Sequence, residues 1–190
     1  MPRWLTLVLV LPLVAFLARP AAAQRVSCEG GVADPPGSSA IYPCNGVDLL
    51  SQVTLAEMDA TYANDIWGWT DPTNGREYAL VGLGDGTAFV DITNPLAPVF
   101  LGTLPTQTQA STWRDIKTDG DYAFIVSEAG GHGMQVFDLT RLRNVPLPPA
   151  TFTADVVYTG IGSAHNIVLN EETGFAYAVG ANDCAGGLHM

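Results

Sequence analysis

Apolar positions in this chain fall in short runs separated by glycine-rich turns, and the runs return in a fixed order. Tyr122 to Thr140 reads YAFIVSEAGGHGMQVFDLT; Tyr78 to Asn94 upstream reads YALVGLGDGTAFVDITN, and Phe175 to Met190 downstream reads FAYAVGANDCAGGLHM. In each copy, small, aromatic and β-branched residues lead into a turn and a second short apolar strand. Such a hairpin buries one face only when stacked on a neighbour. Gly86, Gly133 and Gly187 hold corresponding positions 47 and then 54 residues apart, and the segments leading each copy, from Asp65, Ser111 and Ser163, recur at about 50. That period suits a four-stranded blade, with loops absorbing the differences. Ankyrin and tetratricopeptide units are shorter and need a helical periodicity missing here. The expectation is an all-β fold, a partial β-propeller with about three blade-like repeats across 63–190.

Turn chemistry places the breaks. Asp71-Pro-Thr-Asn-Gly and Gly84-Asp-Gly are strong turns, and Pro95 and Pro98 end the strand that precedes them, since proline cannot continue an interior ladder. Phe152 to Tyr158 is a further strand candidate. Val47 to Ala60 reads either as a short helix begun near Ser51 or as a loose peripheral segment, closing an N-terminal strap over 24–62. Registration of Met190 with Val136 sets the last residue inside a strand. The expectation from that register is a chain that forms part of a longer closed propeller, with further repeats in the full-length parent.

The first residues have a different pattern. Arg3 precedes an apolar run from Leu5 to Ala18, and Ala21 and Ala23 occupy the small-residue positions before a cut at Ala23/Gln24, so 1–23 reads as a signal peptide and the protein as secreted or cell-surface. A retained membrane anchor is the competing reading; the run is short of the roughly 20 residues of a span and is interrupted by Pro12 and Arg19. No stable membrane span is expected after removal of the signal.

Removal of the leader leaves 6 basic against 19 acidic residues, a formal charge of -13 compared with -11 for the whole chain. That balance repels nucleic acid and anionic lipid at long range. In an oxidising compartment Cys28 and Cys44 are candidates for a disulfide across the Pro/Gly/Ser-rich strap, a 17-residue loop worth about 3 kcal/mol by chain entropy. Cys184 is left over, either free, paired between molecules, or awaiting a cysteine outside this chain.

Candidate chemistry is sparse. The leading segments of the repeats would converge on a propeller channel, which makes Trp67, Trp113, Arg114, Asp115 and His165 candidate ligand-facing residues, with Asp65 beside them. The structural alternative has the tryptophans packing between sheets, Arg114 pairing with an acid and His165 capping a turn. Asp85, Asp119, Asp121 and Asp183 sit in turns and offer hard oxygens for calcium, but none follows the DxDxDG pattern of a preformed calcium loop. No HExxH, CxxC, GxSxG or dinucleotide fingerprint occurs, and no catalytic residue and no metal site is assigned from the sequence.

Several unusual segments in one order carry a resemblance. Cys44-Asn-Gly-Val-Asp-Leu-Leu, Asn64-Asp-Ile-Trp-Gly-Trp, Ala88-Phe-Val-Asp-Ile-Thr-Asn-Pro-Leu-Ala-Pro, Ser111-Thr-Trp-Arg-Asp-Ile-Lys, Ser163-Ala-His-Asn-Ile-Val-Leu-Asn and Cys184-Ala-Gly-Gly-Leu-His-Met together resemble the secreted choice-of-anchor B proteins, whose bodies contain LVIVD-type propeller repeats. The resemblance covers roughly Cys44 to Met190. It implies an extracellular or surface protein and carries over no reaction; analogy with the propeller fold alone adds the expectation of an exported scaffold that binds a protein or glycan at the cell exterior. Two alternatives stand beside it: a metal-assisted hydrolase or lyase using His165 and Asp115, and a structural surface or adhesion protein.

Overall fold

The structure is a computed structural model that describes residues 25–36 and 40–190; the signal peptide expected at 1–23 lies outside the described residues. Two short strands, β1 (Val32–Ala33) and β2 (Tyr42–Pro43), form an antiparallel ribbon near the start. Cys28 and Cys44 are joined across it by a disulfide, with Cα atoms 5.8 Å apart. Asp48 ties the same region down: it accepts from the Cys28 amide at 2.9 Å and pairs with Arg25, and these bonds hold its carboxyl below the usual range.

Three sheets then follow in chain order. β3 (Ala63–Thr70), β4 (Glu77–Leu83), β5 (Gly86–Asp91) and β6 (Val99–Pro105) make an antiparallel meander. β7 (Arg114–Asp119), β8 (Tyr122–Ser127) and β9 (Met134–Asp138) begin the second sheet. The chain next returns to the first sheet, where β10 (Ala150–Thr151) runs parallel to β6, before β11 (Val156–Tyr158) completes the second sheet against β9. β12 (Asn166–Asn170) and β13 (Phe175–Val179) form the third sheet. The observed architecture is therefore all-β, built of several small sheets, and among the described residues no sheet closes on itself.

The sheets stack through their leading strands, with β3 beside β7 and β7 beside β12. Between the first and second sheets lies a core that includes Leu80, Phe89, Ile125 and Phe137; between the second and third lies another, with Val126, Ile161, Ala164 and Ile167. The far face of the first sheet carries Ala79, Leu83 and Val90, and Met58 packs there from the preceding segment. This layering explains why β5 is apolar without alternation: all six of its residues are buried, because both faces of the strand are covered. A strand of the third sheet has cover on one face only, so Val168 and Phe175 remain exposed.

The same hydrogen bond recurs between successive leading strands. Asp65 Oδ2 accepts from the Ile116 amide at 3.0 Å, and Asp115 Oδ2 accepts from the Ile167 amide at 2.7 Å. Asn166 holds the third register position, at the start of β12. Burial raises the Asp65 carboxyl above its ordinary range, although the Ile116 amide opposes the shift.

Two expectations resolve in detail. Val47 to Ala60 forms no helix but a single turn over Leu55–Asp59. Glu57 Oε2 accepts from the Thr54 amide at 2.7 Å while Thr54 Oγ1 accepts from the Glu57 amide at 3.1 Å, the reciprocal bonds of a capping box, and Asp59 at φ +51° ends the turn before it can propagate. The strand candidate Phe152 to Tyr158 divides: Phe152 enters the inter-sheet core and its amide donates to the Thr103 carbonyl of the first sheet, while Val156–Tyr158 forms the strand against β9 of the second. Gly102 explains the return of β10: at φ +144°, a Cβ there would lie 2.0 Å from the Ala150 carbonyl oxygen, so only glycine lets the parallel strand approach.

Candidate metal centre

The candidate residues of the leading strands divide into two environments. Trp67 and Trp113 are exposed, at 40% and 47%. Trp67 Nε1 donates to Thr118 Oγ1 at 3.1 Å, and Lys117 Nζ lies 4.4 Å from the centre of its ring. Trp113 stands 5.8 Å, ring to ring, from His165, whose Nδ1 meets Glu128 Oε1 at 2.5 Å. Trp113 and His165 thus come together at the second and third sheets, while Trp67 keeps company with Lys117.

Arg114 and Asp115 turn inward. Asp115 is buried, with Oδ1 paired to Lys117 on its own strand and Oδ2 taking the Ile167 amide of the next sheet, so both oxygens are engaged and one of them joins two sheets. Arg114 is fully buried; its Nε donates to the Leu83 carbonyl at 3.1 Å and its Nη1 lies 2.9 Å from His132 Nε2. Because His132 Nδ1 is 3.0 Å from the Gly133 carbonyl oxygen, Nδ1 carries the proton and Nε2 accepts from the guanidinium. Among the described residues no carboxylate bonds Arg114, and burial brings its pKa down to about 10. Burial likewise holds His132 below the ordinary histidine value, with the Arg114 charge adding to the effect.

The pH dependence follows. A histidine whose folded pKa lies below its unfolded value of about 6.5 leaves stability intact above that pH and removes it as the pH falls toward the folded pKa, because the unfolded chain takes up the proton first. Melting temperature is expected to fall between pH 7 and 5, and His132→Gln to flatten that part of the profile. A wild-type profile level across this range would contradict the buried neutral imidazole. A second loss belongs at lower pH: hydrogen bonds from Arg143 hold Asp71 to about 2, so its contribution disappears only as the pH falls from about 3.8 toward that value.

The acidic turns do not converge as a group. Asp121 lies 3.5 Å from Arg143, and Asp85 contributes a favourable charge toward Arg114. Among the described residues, a cluster of three metal-donor side chains is formed by Asp183, Cys184 and His189, whose donor atoms all lie within 4.8 Å of one another. Asp183 comes from the turn candidates, and Cys184 is the cysteine left over from the strap disulfide.

Local structure builds this cluster. After β13, Asn182 Oδ1 accepts from the Gly162 and Ser163 amides at 2.8 and 3.0 Å and anchors the loop. Cys184–Gly186 then form one tight 3-10 turn, with Cys184 and Ala185 at φ +49° and +53°. The chain doubles back, and His189 exchanges both backbone bonds with Ala178 of β13, at 2.9 and 3.0 Å. That bridge returns the imidazole over Asp183, with Nδ1 2.6 Å from Oδ2. The other ring nitrogen, Nε2, lies 3.0 Å from the Tyr158 hydroxyl. Tyr158 is itself fixed by β11, whose carbonyl at Tyr158 runs so close to Gly133 that a Cβ there would stand 2.4 Å from it.

The donor set has a chemical preference. A thiolate, an imidazole nitrogen and a carboxylate oxygen suit zinc or a similar divalent transition metal and leave a fourth tetrahedral position for water or substrate. Calcium asks for six to eight oxygens, which these three side chains do not supply. One observation fits a cation: Asp183 Oδ1 is buried without a hydrogen-bond partner. His189 Nδ1 donates to Asp183 Oδ2 while Nε2 accepts from the Tyr158 hydroxyl, so an ion bound at Nδ1 would have to displace that proton. The sequence contained the signal as Asp-Cys-x4-His, a spacing outside the common metal motifs. The turn that closes it sets two non-glycine residues, Cys184 and Ala185, in the left-handed region ahead of Gly186, which propensity does not predict.

Comparison with known proteins finds no matching family model, no matching curated protein and no matching solved structure.

Proposed function

We propose that this protein is a metal-assisted hydrolase whose metal, zinc or a chemically similar divalent ion, is held by Asp183, Cys184 and His189. The observation that carries the reading is the convergence of those three donors within 4.8 Å. Three protein ligands with an open fourth position is the arrangement of catalytic zinc sites, in which the bound ion lowers the pKa of its water. An ion held by Asp183, Cys184 and His189 would supply an activated water for hydrolysis of an ester or amide, the leaving group departing with a proton from that water. Tyr158 orients the imidazole, and Asp183 supplies negative charge that balances the ion.

The scaffold proposed to bear this site is an exported, blade-repeat protein of the choice-of-anchor B kind. Supporting it are the signal-like leader, the recurrence near 50 residues and the repeated aspartate bond between leading strands. No helix among the described residues is long and apolar enough to cross a membrane.

The test is hydrolysis of a panel of 4-nitrophenyl esters by protein first stripped with a chelator and then reloaded with zinc. Activity should require the metal and should fall at least about tenfold in Tyr158→Phe through weaker metal retention, recovering when zinc is in excess. Equal rates with and without zinc, or no rate above zinc alone with any ester, would contradict the hydrolase reading.

A further inference from the structure

The dipeptide Asn-Gly occurs twice, at Asn45-Gly46 and Asn74-Gly75. A glycine after asparagine leaves its backbone nitrogen unshielded by a Cβ, so that nitrogen can close on the asparagine side-chain carbonyl carbon. Both pairs are exposed, both glycines have positive φ, at +70° and +71°, and nothing lies within 4 Å of a Cβ built on either. Exposure and sterics treat the two alike. Hydrogen bonding does not. In the turn between β3 and β4, Asn74 Nδ2 donates to Asp71 Oδ2 at 2.8 Å, Asn74 Oδ1 accepts from the Arg76 amide at 2.9 Å, and the Gly75 amide donates to the Asp71 carbonyl at 2.8 Å. Attacking nitrogen and leaving amide are both tied down, and a carboxylate formed there would face that of Asp71. In the bend after Cys44, neither the Asn45 side chain nor the Gly46 amide has a hydrogen-bond partner among the described residues. The restraints lie on either side of it: the Cys28–Cys44 disulfide before, and Asp48 and the Val26–Leu49 bridge after.

We infer that Asn45 is a covalent modification site, converting spontaneously in the folded protein to aspartate and isoaspartate, while the fold holds Asn74 unreactive. The Gly46 nitrogen bonds to Asn45 Cγ, the Cγ–Nδ2 bond breaks, and ammonia leaves with the Gly46 amide proton. Water then opens the cyclic imide. Attack at Cγ gives aspartate; attack at the Asn45 backbone carbonyl carbon gives isoaspartate, whose main chain runs through the side chain and is longer by one carbon. Either product adds a negative charge to a chain whose formal charge is already -11. Isoaspartate also lengthens the link between the disulfide and Asp48, and the only co-reactant is water.

Peptide mapping by mass spectrometry follows both sites in the full, disulfide-intact protein in mildly alkaline buffer, with the same protein reduced and held in urea as the reference. Each conversion is read as the mass gained when an amide becomes an acid, and isoaspartate is separated from aspartate by chromatography. In the native protein Asn45 is expected to convert at least about tenfold faster than Asn74, because Asn74 reacts only when its turn opens. Unfolding should bring the two rates to within about threefold of each other. Asn45→Gln should abolish the early release of ammonia and leave the slow conversion of Asn74 unchanged. No mass gain at Asn45, or equal rates at the two sites in the native protein, would overturn the inference. So would a difference that persists unchanged in urea, since the fold would not then be its cause.

Discussion

Asp115→Ala is expected to destabilise the protein by about 3–5 kcal/mol, the cost of removing one member of a buried ion pair. The substitution leaves the Lys117 ammonium, only 20% exposed, without its carboxylate, and leaves the Ile167 amide without the acceptor that joins β7 to β12. Asp115→Asn keeps an oxygen for the amide and should lose less. Asp65→Ala removes the corresponding acceptor for Ile116 one repeat earlier and should weaken the contact between the first and second sheets in the same way. Urea unfolding followed by circular dichroism reads all three. If Asp115→Ala costs under about 1 kcal/mol, the recurring aspartate bond does not hold the sheets together.

Phe89→Ala should cost a similar 3–5 kcal/mol, through lost burial and the cavity left behind. Phe89 is fully buried and stacks on Phe137 at 4.5 Å between ring centres, with Phe152 edge-on to both at 5.5 and 5.3 Å. Phe89 and Phe137 belong to different sheets, so the cluster is an inter-sheet bond and not a feature of one hairpin. Phe89→Ala combined with Phe137→Ala should therefore lose less than the sum of the single variants, because each already breaks the shared contact. Val168→Ala, at an exposed position of β12, should stay within about 0.5 kcal/mol of wild type. Equal effects at Phe89 and Val168 would contradict a core between the first two sheets.

The repeats were legible because the physics that makes them is local and periodic. Strand runs such as Tyr78–Val81 and Tyr122–Ser127 carry β-branched and aromatic residues, and turns such as Asp119-Gly-Asp carry the residues that backbone reversal requires. What pattern alone does not determine is which way a polar residue of a leading strand points. Arg114 and Asp115 are neighbours in sequence, and the strand alternation sends them into different interiors: one to Leu83 and His132, the other to Lys117 and Ile167. The return of β10 to the first sheet was not legible either, since a two-residue parallel pairing depends on the space above Gly102 and leaves no hydrophobic period. Cys184 appeared as an odd cysteine because pairing arithmetic counts thiols. Its neighbours Asp183 and His189 reach it only through the tight turn and the bridge to Ala178.

The most direct measurement is a cobalt(II) titration of the chelator-treated chain, read by absorbance. Cobalt occupies zinc sites and reports its ligands: bonding to the Cys184 thiolate gives a sulfur-to-metal charge-transfer band in the near ultraviolet, and tetrahedral geometry gives intense visible bands. One equivalent is expected to saturate both sets of bands, zinc to bleach them, and acidification to reverse them as protons compete for the three donors. Cys184→Ser should lose the charge-transfer band, and His189→Ala should weaken binding without affecting the Cys28–Cys44 disulfide at the other end of the chain. A featureless titration, or a charge-transfer band that survives Cys184→Ser, would contradict the metal centre.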